Sequence, residues 1–180
     1  MGTGDWVSTS MPYVAPGVKG AAEAWDAEAA AKGGRGTQRI VHAGEVPAPS
    51  EVAEVFGVPI GTPVVVRRRM MYLDDVPCEL TDTYYPAEIA RGTGLAGTAK
   101  IRGGAVKLLA ELGHTGARVR EDVLARMPAS EERGALQLPP DEPVLQLVRL
   151  TVDAADRPIQ ADVMVMRARS ARLRYEIGLG

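Results

Sequence analysis

The stretch that most constrains the fold is Pro63 to Pro86, PVVVRRRMMYLDDVPCELTDTYYP. Two runs rich in β-branched and aromatic residues flank a polar Asp74-Asp75 pair, which is the signature of a β-hairpin. The chain writes this unit twice. Ser50-Glu51 matches Ser130-Glu131 at an offset of 80 (130 − 50 = 80), followed by Pro59 with Pro139, Pro63-Val64 with Pro143-Val144, and Arg69 with Arg149. After the turn the offset becomes 81 (158 − 77 = 81), so that Pro77 meets Pro158, Glu79 meets Gln160 and Tyr84 meets Val165. Both copies read as a Ser-capped short helix, a Pro-containing bend, a strand, a turn and a strand. A repeated supersecondary unit implies a pseudo-symmetric core.

The rest of the chain fits around that unit. Residues 1–37 mix Gly, Ser, Thr and Pro without a period and read as a poorly ordered leader or linker, with a short Ala-rich helix around Ala21 to Lys32 ended by Gly33-Gly34. Trp6, Tyr13 and Trp25 are unusual in a free tail and point to partial docking on the domain or on a neighbouring subunit. Residues 38–180 form the folded domain. Thr37 to Val46 is a first strand, Glu51 to Phe56 a helix capped by Ser50 and stopped by Gly57, and Ala87 to Ala90 a single helical turn. Gly104 to Leu112 carries Val106, Leu108, Leu109 and Leu112 on one stripe and is the clearest helix. Ala117 to Arg126 reads as a long exposed strand, Val144 to Val152 as the strongest strand, and Ile159 to Met166 as its return across an Asp153 to Arg157 turn. Ala171 to Ile177 is a last strand. Strands and helices alternate without a βαβ rhythm, so the fold class is α+β with a mostly antiparallel twisted sheet.

Composition narrows the chemistry. A net charge of −2 and a pI near 5.8 argue against this chain gripping a nucleic-acid backbone by itself. The lone Cys78 excludes an intramolecular disulfide and fits a reduced, cytoplasmic setting, with the thiol as a small buried hydrophobe. No apolar run is long enough to span a membrane, and the N-terminus lacks a signal-peptide pattern. No nucleophile elbow, phosphate-binding loop, Cys-x-x-Cys or His-Glu-x-x-His motif occurs, so neither catalytic residues, a metal site nor a cofactor is expected.

Arg67-Arg68-Arg69 is the most informative polar feature. In a strand Arg68 points away from its neighbours, so Arg67 and Arg69 share a face. They can fork an anionic ligand, or Arg67 can pair with Asp82 directly across the hairpin while Arg69 lies opposite Leu80. Lys100-Ile101-Arg102-Gly103-Gly104 precedes the clear helix and can present free backbone N–H groups to an anion. Glu79, Asp82, Gln160 and Asp162 can grip hydroxyls or amines, or can be solvated sheet surface.

The order of G-V-P-I-G-T-P-V-V-V-R-R-R, D-D-V-P, T-Y-Y-P, R-G-G-A-V-K-L-L-A-E-L-G, L-P-P-D-E-P-V-L-Q-L-V-R and D-R-P-I resembles the UTRA domain, the effector-binding half of HutC-type regulators in the GntR family. The likeness covers residues 38 to 177. It implies a chorismate lyase-like fold, a homodimer, and a small-molecule effector, often a phosphosugar or carboxylate, that changes DNA affinity. Carried over by position, the effector site implied by the family includes Arg67 and Arg69, Thr83 and Tyr84, and the loop of Arg102, Gly103 and Gly104. Three departures point to a more apolar pocket: Gln160 replaces a glutamate, Val163-Met164-Val165-Met166 replaces aromatics, and Gly103 replaces a serine. DNA would be contacted only through a winged helix-turn-helix domain, for which residues 1–37 have neither the helices nor the basic charge. Two other readings stay open: a stand-alone enzyme or binding protein on this fold, with Glu79, Asp82 and Tyr84 as candidate acids and bases, and a pure dimerisation module.

Overall fold

The computed structural model describes residues 6–8, 24–31 and 33–175. In chain order the elements are β1 (Trp6–Ser8), α1 (Ala24–Ala31), β2 (Gly36–Pro47), α2 (Ser50–Phe56), β3 (Pro63–Leu73), β4 (Val76–Pro86), α3 (Ala87–Ala90), a 3-10 turn (Gly94–Ala96), α4 (Gly104–Glu111), β5 (Arg118–Arg126), α5 (Ser130–Ala135), β6 (Val144–Val152), β7 (Pro158–Arg167) and β8 (Ala171–Leu173). Strands β2 to β7 form one antiparallel sheet in the order β2-β3-β4-β7-β6-β5, while β1 pairs with β8 in parallel. This is the expected α+β architecture.

The strand order makes the repeat physical. The unit β2-α2-β3-β4 and the unit β5-α5-β6-β7 meet at the β4–β7 seam, each with its hairpin inward and its first strand outermost. At the seam Asp82 pairs with Val163, its own counterpart at the offset of 81 (163 − 82 = 81). A pseudo-twofold axis therefore passes through that pair. Even the irregularities repeat: the register of the first hairpin slips at Cys78 and that of the second at Ile159, again 81 apart (159 − 78 = 81).

That slip corrects the register read from the sequence. Arg67 lies opposite Thr83, Arg68 opposite Asp82 and Arg69 opposite Thr81. Asp74 and Asp75 do form the two-residue turn, both at positive φ. However, Cys78 is an extra residue between the Met71–Glu79 and Tyr72–Pro77 pairs, and it displaces everything beyond it by one position. Its thiol donates to the Met71 carbonyl at 3.4 Å. A one-residue slip moves each side chain to the opposite face, so Asp82 joins Arg68 rather than Arg67.

The helix entries also differ from expectation. Ser50 and Ser130 are the first residues of α2 and α5, and the cap positions fall on Pro49 and Ala129 without a side-chain cap bond from either serine. At α5 the Glu132 carboxylate accepts from the Ala129 N–H at 2.8 Å and from Arg126. Gly57, at φ 67°, ends α2 as expected. The last strand stops at Leu173; Glu176 and Ile177, like Tyr13, lie outside the described residues.

Both sheet faces are covered, so β6 and β7 are buried at nearly every position, their polar residues included. On the first face, Val52, Ala53 and Phe56 of α2 pack on Val64, Val66, Tyr84, Val148, Leu150 and Val163, while Leu136 and Leu138 pack on Met70 and Val165. On the second, Leu95 and Leu109 cover Val65 and Tyr85 at one end, and Ala171 and Leu173 lean on Leu147, Met164 and Met166 at the other. Trp25 of α1 is buried; its indole N–H donates to the Tyr72 carbonyl at 3.1 Å.

Burial, with Glu79 adjacent, pushes the Cys78 thiol up to about 12. Because thiolate is the reactive species, an aromatic disulfide reagent in mildly alkaline buffer is expected to label Cys78 slowly in the native protein and fast in denaturant. Equal labelling rates would show that the bulge leaves the thiol open.

Candidate functional site

Between the two apolar clusters of the second face runs a transverse row of polar residues. Arg67 of β3, Thr83 of β4, Asp162 of β7, Arg149 of β6 and Glu121 of β5 are consecutive register partners across five strands. Such a row arises because sheet neighbours on one face stand side by side. Arg67, Thr83, Asp162 and Arg149 are all buried. Buried charges persist only when paired and hydrogen-bonded, and from Thr83 to Glu121 each member of this row is hydrogen-bonded or ion-paired, with Arg69 joining it at Thr83. Arg69 Nη2 donates to Thr83 Oγ1 at 2.9 Å, and Thr83 Oγ1 donates to Asp162 Oδ1 at 2.7 Å. Gln160 Nε2 donates to Asp162 Oδ2 at 2.8 Å. Arg149 Nη1 lies 4.0 Å from the same oxygen, and Arg149 Nε donates to Glu121 Oε1 at 2.6 Å.

The two arginines expected to act together have separate duties. Arg67 donates to the carbonyls of Gly94 at 3.0 Å, Ala99 at 3.2 Å, and Gly97. It thereby holds down the loop that leads into α4. Arg69 is half-buried; its Nε is buried without a hydrogen-bond partner. The repeat explains which arginine complements it. Arg69 and Arg149 are counterparts at the offset of 80 and flank the β4–β7 seam from opposite sides, with Asp162 between them.

Other expected residues divide between the two faces. Glu79, Thr83, Gln160 and Asp162 join Arg67 and Arg69 on the second face. Asp82 and Tyr84 do not. Asp82 accepts from Arg68 Nε at 2.9 Å and Nη2 at 2.8 Å and from the Tyr84 hydroxyl at 3.2 Å, on the α2-covered face. The slip at Cys78 puts them there. Arg102 and Gly103 are exposed on the loop anchored by Arg67. Gly103 has φ 79°, a backbone conformation that disfavours any side chain, which accounts for glycine where the family resemblance leads one to expect serine.

Glu79 adds a titratable group. Burial pushes its carboxyl above the usual carboxylate range, opposed by a hydrogen bond from the Thr81 hydroxyl and by the charges of Arg69 and Arg149. Burial also raises the Tyr85 hydroxyl, which lies near Asp162. Three arginines (67, 69, 149) thus face three acids (Glu79, Asp162, Glu121), so the formal charges of the band balance. A cavity of about 20 Å³, the size of one water, opens beside it between α4 and the second hairpin, lined by Leu109, His114, Thr151 and Gln160 among others. Among the described residues no group of three or more His, Cys, Asp or Glu side chains is placed to hold a metal ion.

Arg149, Glu121, Thr81 and Thr151 escaped the sequence reading. The signal for Arg149 was present, since the repeat matched it to Arg69. Glu121 carried none, because only the pairing of β5 with β6 brings it to Arg149.

Compared with known families, residues 31–172 match the model of the UTRA domain. The chain belongs to the UTRA domain family. Relatives of this UTRA domain include an uncharacterized HTH-type transcriptional regulator of Rhizobium meliloti, 32% identical over 142 residues, covering 78% of this chain and 57% of the relative. The HTH-type regulator GgaR of Escherichia coli is 26% identical over 123 residues, covering 68% of this chain and 48% of GgaR. The chain spans about half the length of the curated relatives it matches. Among solved structures, the effector domain of PhnF from Mycobacterium smegmatis superposes with a TM-score of 0.70 at 23% identity, covering 86% of this chain and 94% of that one. The C-terminal domain of the histidine utilization repressor from Pseudomonas syringae gives 0.62 at 21%, covering 80% and 99%. These two share the fold of this UTRA domain.

Two outcomes follow from the geometry. Arg67→Ala removes the guanidinium from three loop carbonyls, of which Gly94 keeps the Gly97 N–H, and is expected to cost about 3 kcal/mol in denaturant unfolding; an unchanged midpoint would mean the loop is held by other contacts. For Glu79 the folded-state carboxyl lies above its unfolded value, so stability is fully present at low pH and declines as pH rises past the ordinary carboxylate range. Glu79→Gln removes that decline. The melting temperature of the variant relative to the parent is expected to rise between about pH 4 and pH 7, and a difference that is flat with pH would show that Glu79 ionises normally.

Proposed function

We propose that this UTRA domain is the small-molecule effector-sensing domain of a GntR-type transcriptional regulator of the HutC branch. It works as a cytoplasmic homodimer and reaches DNA only through a winged helix-turn-helix domain. The observation that carries this reading is the pairing of Arg69 and Arg149 about the seam, with the Nε of Arg69 buried and lacking an acceptor. A buried guanidinium donor without a partner is costly unless a ligand supplies the acceptor. Matches to HTH-type regulators, of which this chain spans about half, support the division of labour between sensing and DNA contact. The acidic pI of the chain supports it too. No helix among the described residues is long and apolar enough to cross a membrane.

The chemistry of the band points to the class of effector. Arg69 calls for a carboxylate, a phosphate or another strong acceptor. The three-to-three charge balance favours a ligand that combines such an acceptor with donor groups for Glu79 and Gln160 over a multiply charged one. Met164 and Met166, on the same face, offer a polarizable apolar wall. The effector would act by binding one conformation of the domain more tightly than another, since equal affinity shifts nothing.

A thermal-shift screen of carboxylates, phosphosugars and neutral sugars tests this reading. At least one compound is expected to raise the melting temperature, and Arg69→Ala is expected to abolish that rise while leaving the ligand-free melting temperature within a few degrees of the parent. No stabilising compound, or a rise that survives Arg69→Ala, would refute the proposed site.

A further inference from the structure

The turn after β7 is crowded with arginines. Arg167, Arg169, Arg172 and Arg174 flank Ser170 on both sides. Of all the serines and threonines in the chain, Ser170 alone has an arginine three places before it, Arg167, and a second, Arg169, precedes it directly. Ser170 lies in the short connection between β7, which ends at Arg167, and β8, which starts at Ala171. Its N–H donates to the Arg167 carbonyl at 3.2 Å, closing the turn. Its hydroxyl reaches the same oxygen only at 3.5 Å, beyond the range of a normal O–H···O bond. Arg169, Arg172 and Arg174 are exposed, while the Nε of the partly covered Arg167 stands 4.0 Å from Glu142.

The strand that follows is lightly held. β8 has three residues, and its strand partner is the equally short β1, in parallel. A two-stranded pairing of this size is marginal in water. Ala171 and Leu173 add apolar contacts with Leu147, Met164 and Met166, which draw β8 back onto the sheet. The segment therefore opens locally at lower cost than any strand of the six-stranded sheet. Once open, it is an extended peptide with a free serine hydroxyl between forked cations. Such a peptide complements an acidic cleft in both charge and geometry. Ser50 and Ser130, by contrast, sit in the first turns of α2 and α5.

We propose that Ser170 is a phosphorylation site, read by a serine kinase whose acidic cleft takes the flanking arginines, and that the phosphate locks β8 against β1. In the transfer Ser170 Oγ bonds to the γ-phosphorus of a nucleoside triphosphate, and the bond from that phosphorus to the β–γ bridging oxygen breaks. The hydroxyl proton passes to the kinase's base, and a nucleoside diphosphate leaves. The product carries three acceptor oxygens and about two negative charges at neutral pH. Unmodified, the turn gathers four cations of like charge over residues 167–174. A dianion at their centre removes that repulsion and gives Arg167 and Arg169 an acceptor they can fork. Because β1 belongs to the start of the chain, the lock tightens the hold of the N-terminal segment on the domain. The site stands independently of the effector-sensing role.

Incubating the full chain with ATP, Mg²⁺ and the catalytic subunit of cAMP-dependent protein kinase, an arginine-directed serine kinase, tests the site by intact-mass and peptide mass spectrometry. One phosphate per chain is expected, on Ser170, and none on Ser170→Ala. Arg167→Lys keeps a cation beside Glu142 but loses the fork, and is expected to slow the transfer about tenfold, with circular dichroism verifying its fold. Chain recovered from the cells that make it is expected to carry phosphate on the same residue. In hydrogen exchange the phosphorylated chain is expected to protect the amides of residues 171–173 about tenfold more than the unmodified chain. Absence of phosphate on Ser170 from either preparation, or phosphate on another residue instead, would overturn the site, as would Arg167→Lys labelled at the parent rate. Exchange at residues 171–173 that is unchanged or faster would overturn the lock.

Discussion

The structure depends on the seam where β4 meets β7. There, two copies of a strand-helix-hairpin unit join back to back, and the sheet becomes continuous. Each unit alone would leave the inner edge of its hairpin unpaired. Joined, β4 and β7 pair fully over Glu79–Tyr84 and Ala161–Met166; the β7 side chains are buried on both faces, as are Thr81, Thr83 and Tyr84 of β4. The symmetry is approximate where it counts for chemistry. Thr81 and Asp162 are counterparts at the offset of 81 (162 − 81 = 81), so a hydroxyl in one copy stands where the other carries a buried carboxylate.

That carboxylate organises the candidate site. Asp162 is held by Thr83 and Gln160, lies near Arg149, and is linked to Arg69 through the Thr83 hydroxyl. In a low-dielectric interior an ion pair strengthens only when its remaining hydrogen-bonding positions are filled. The row meets that condition along most of its length, with the Nε of Arg69 as the exception. A rigid, nearly saturated network with one open donor is suited to recognition by a few directed bonds. Arg67 serves differently: it fixes the glycine-rich loop before α4 by donating to its inward carbonyls.

How far the site was legible in the sequence follows from these contacts. Alternation along Pro63 to Leu73 correctly separated Arg67 and Arg69 from Arg68, since period two is a local property of a strand. The partner of each arginine was not local. Cys78 has no sequence mark of a bulge, yet its insertion moves Asp82 and Tyr84 to the face covered by α2 and leaves Thr83 opposite Arg67. The repeat carried more information than the arginine run did. It matched Arg69 to Arg149, and those two, not Arg67 and Arg69, flank the acid at the centre.

By itself, then, the sequence determined the elements, the doubling of the hairpin unit and the two faces of each strand, because turn chemistry, apolar periodicity and repeat spacing act over a few residues at a time. Only the tertiary structure decided which side chains meet. Register across β3–β4 turned on one extra residue, and the approach of β5 to β6 brought Glu121 to Arg149. Such contacts join residues far apart in the chain, whose proximity depends on packing the whole sheet rather than on any preference written at either position.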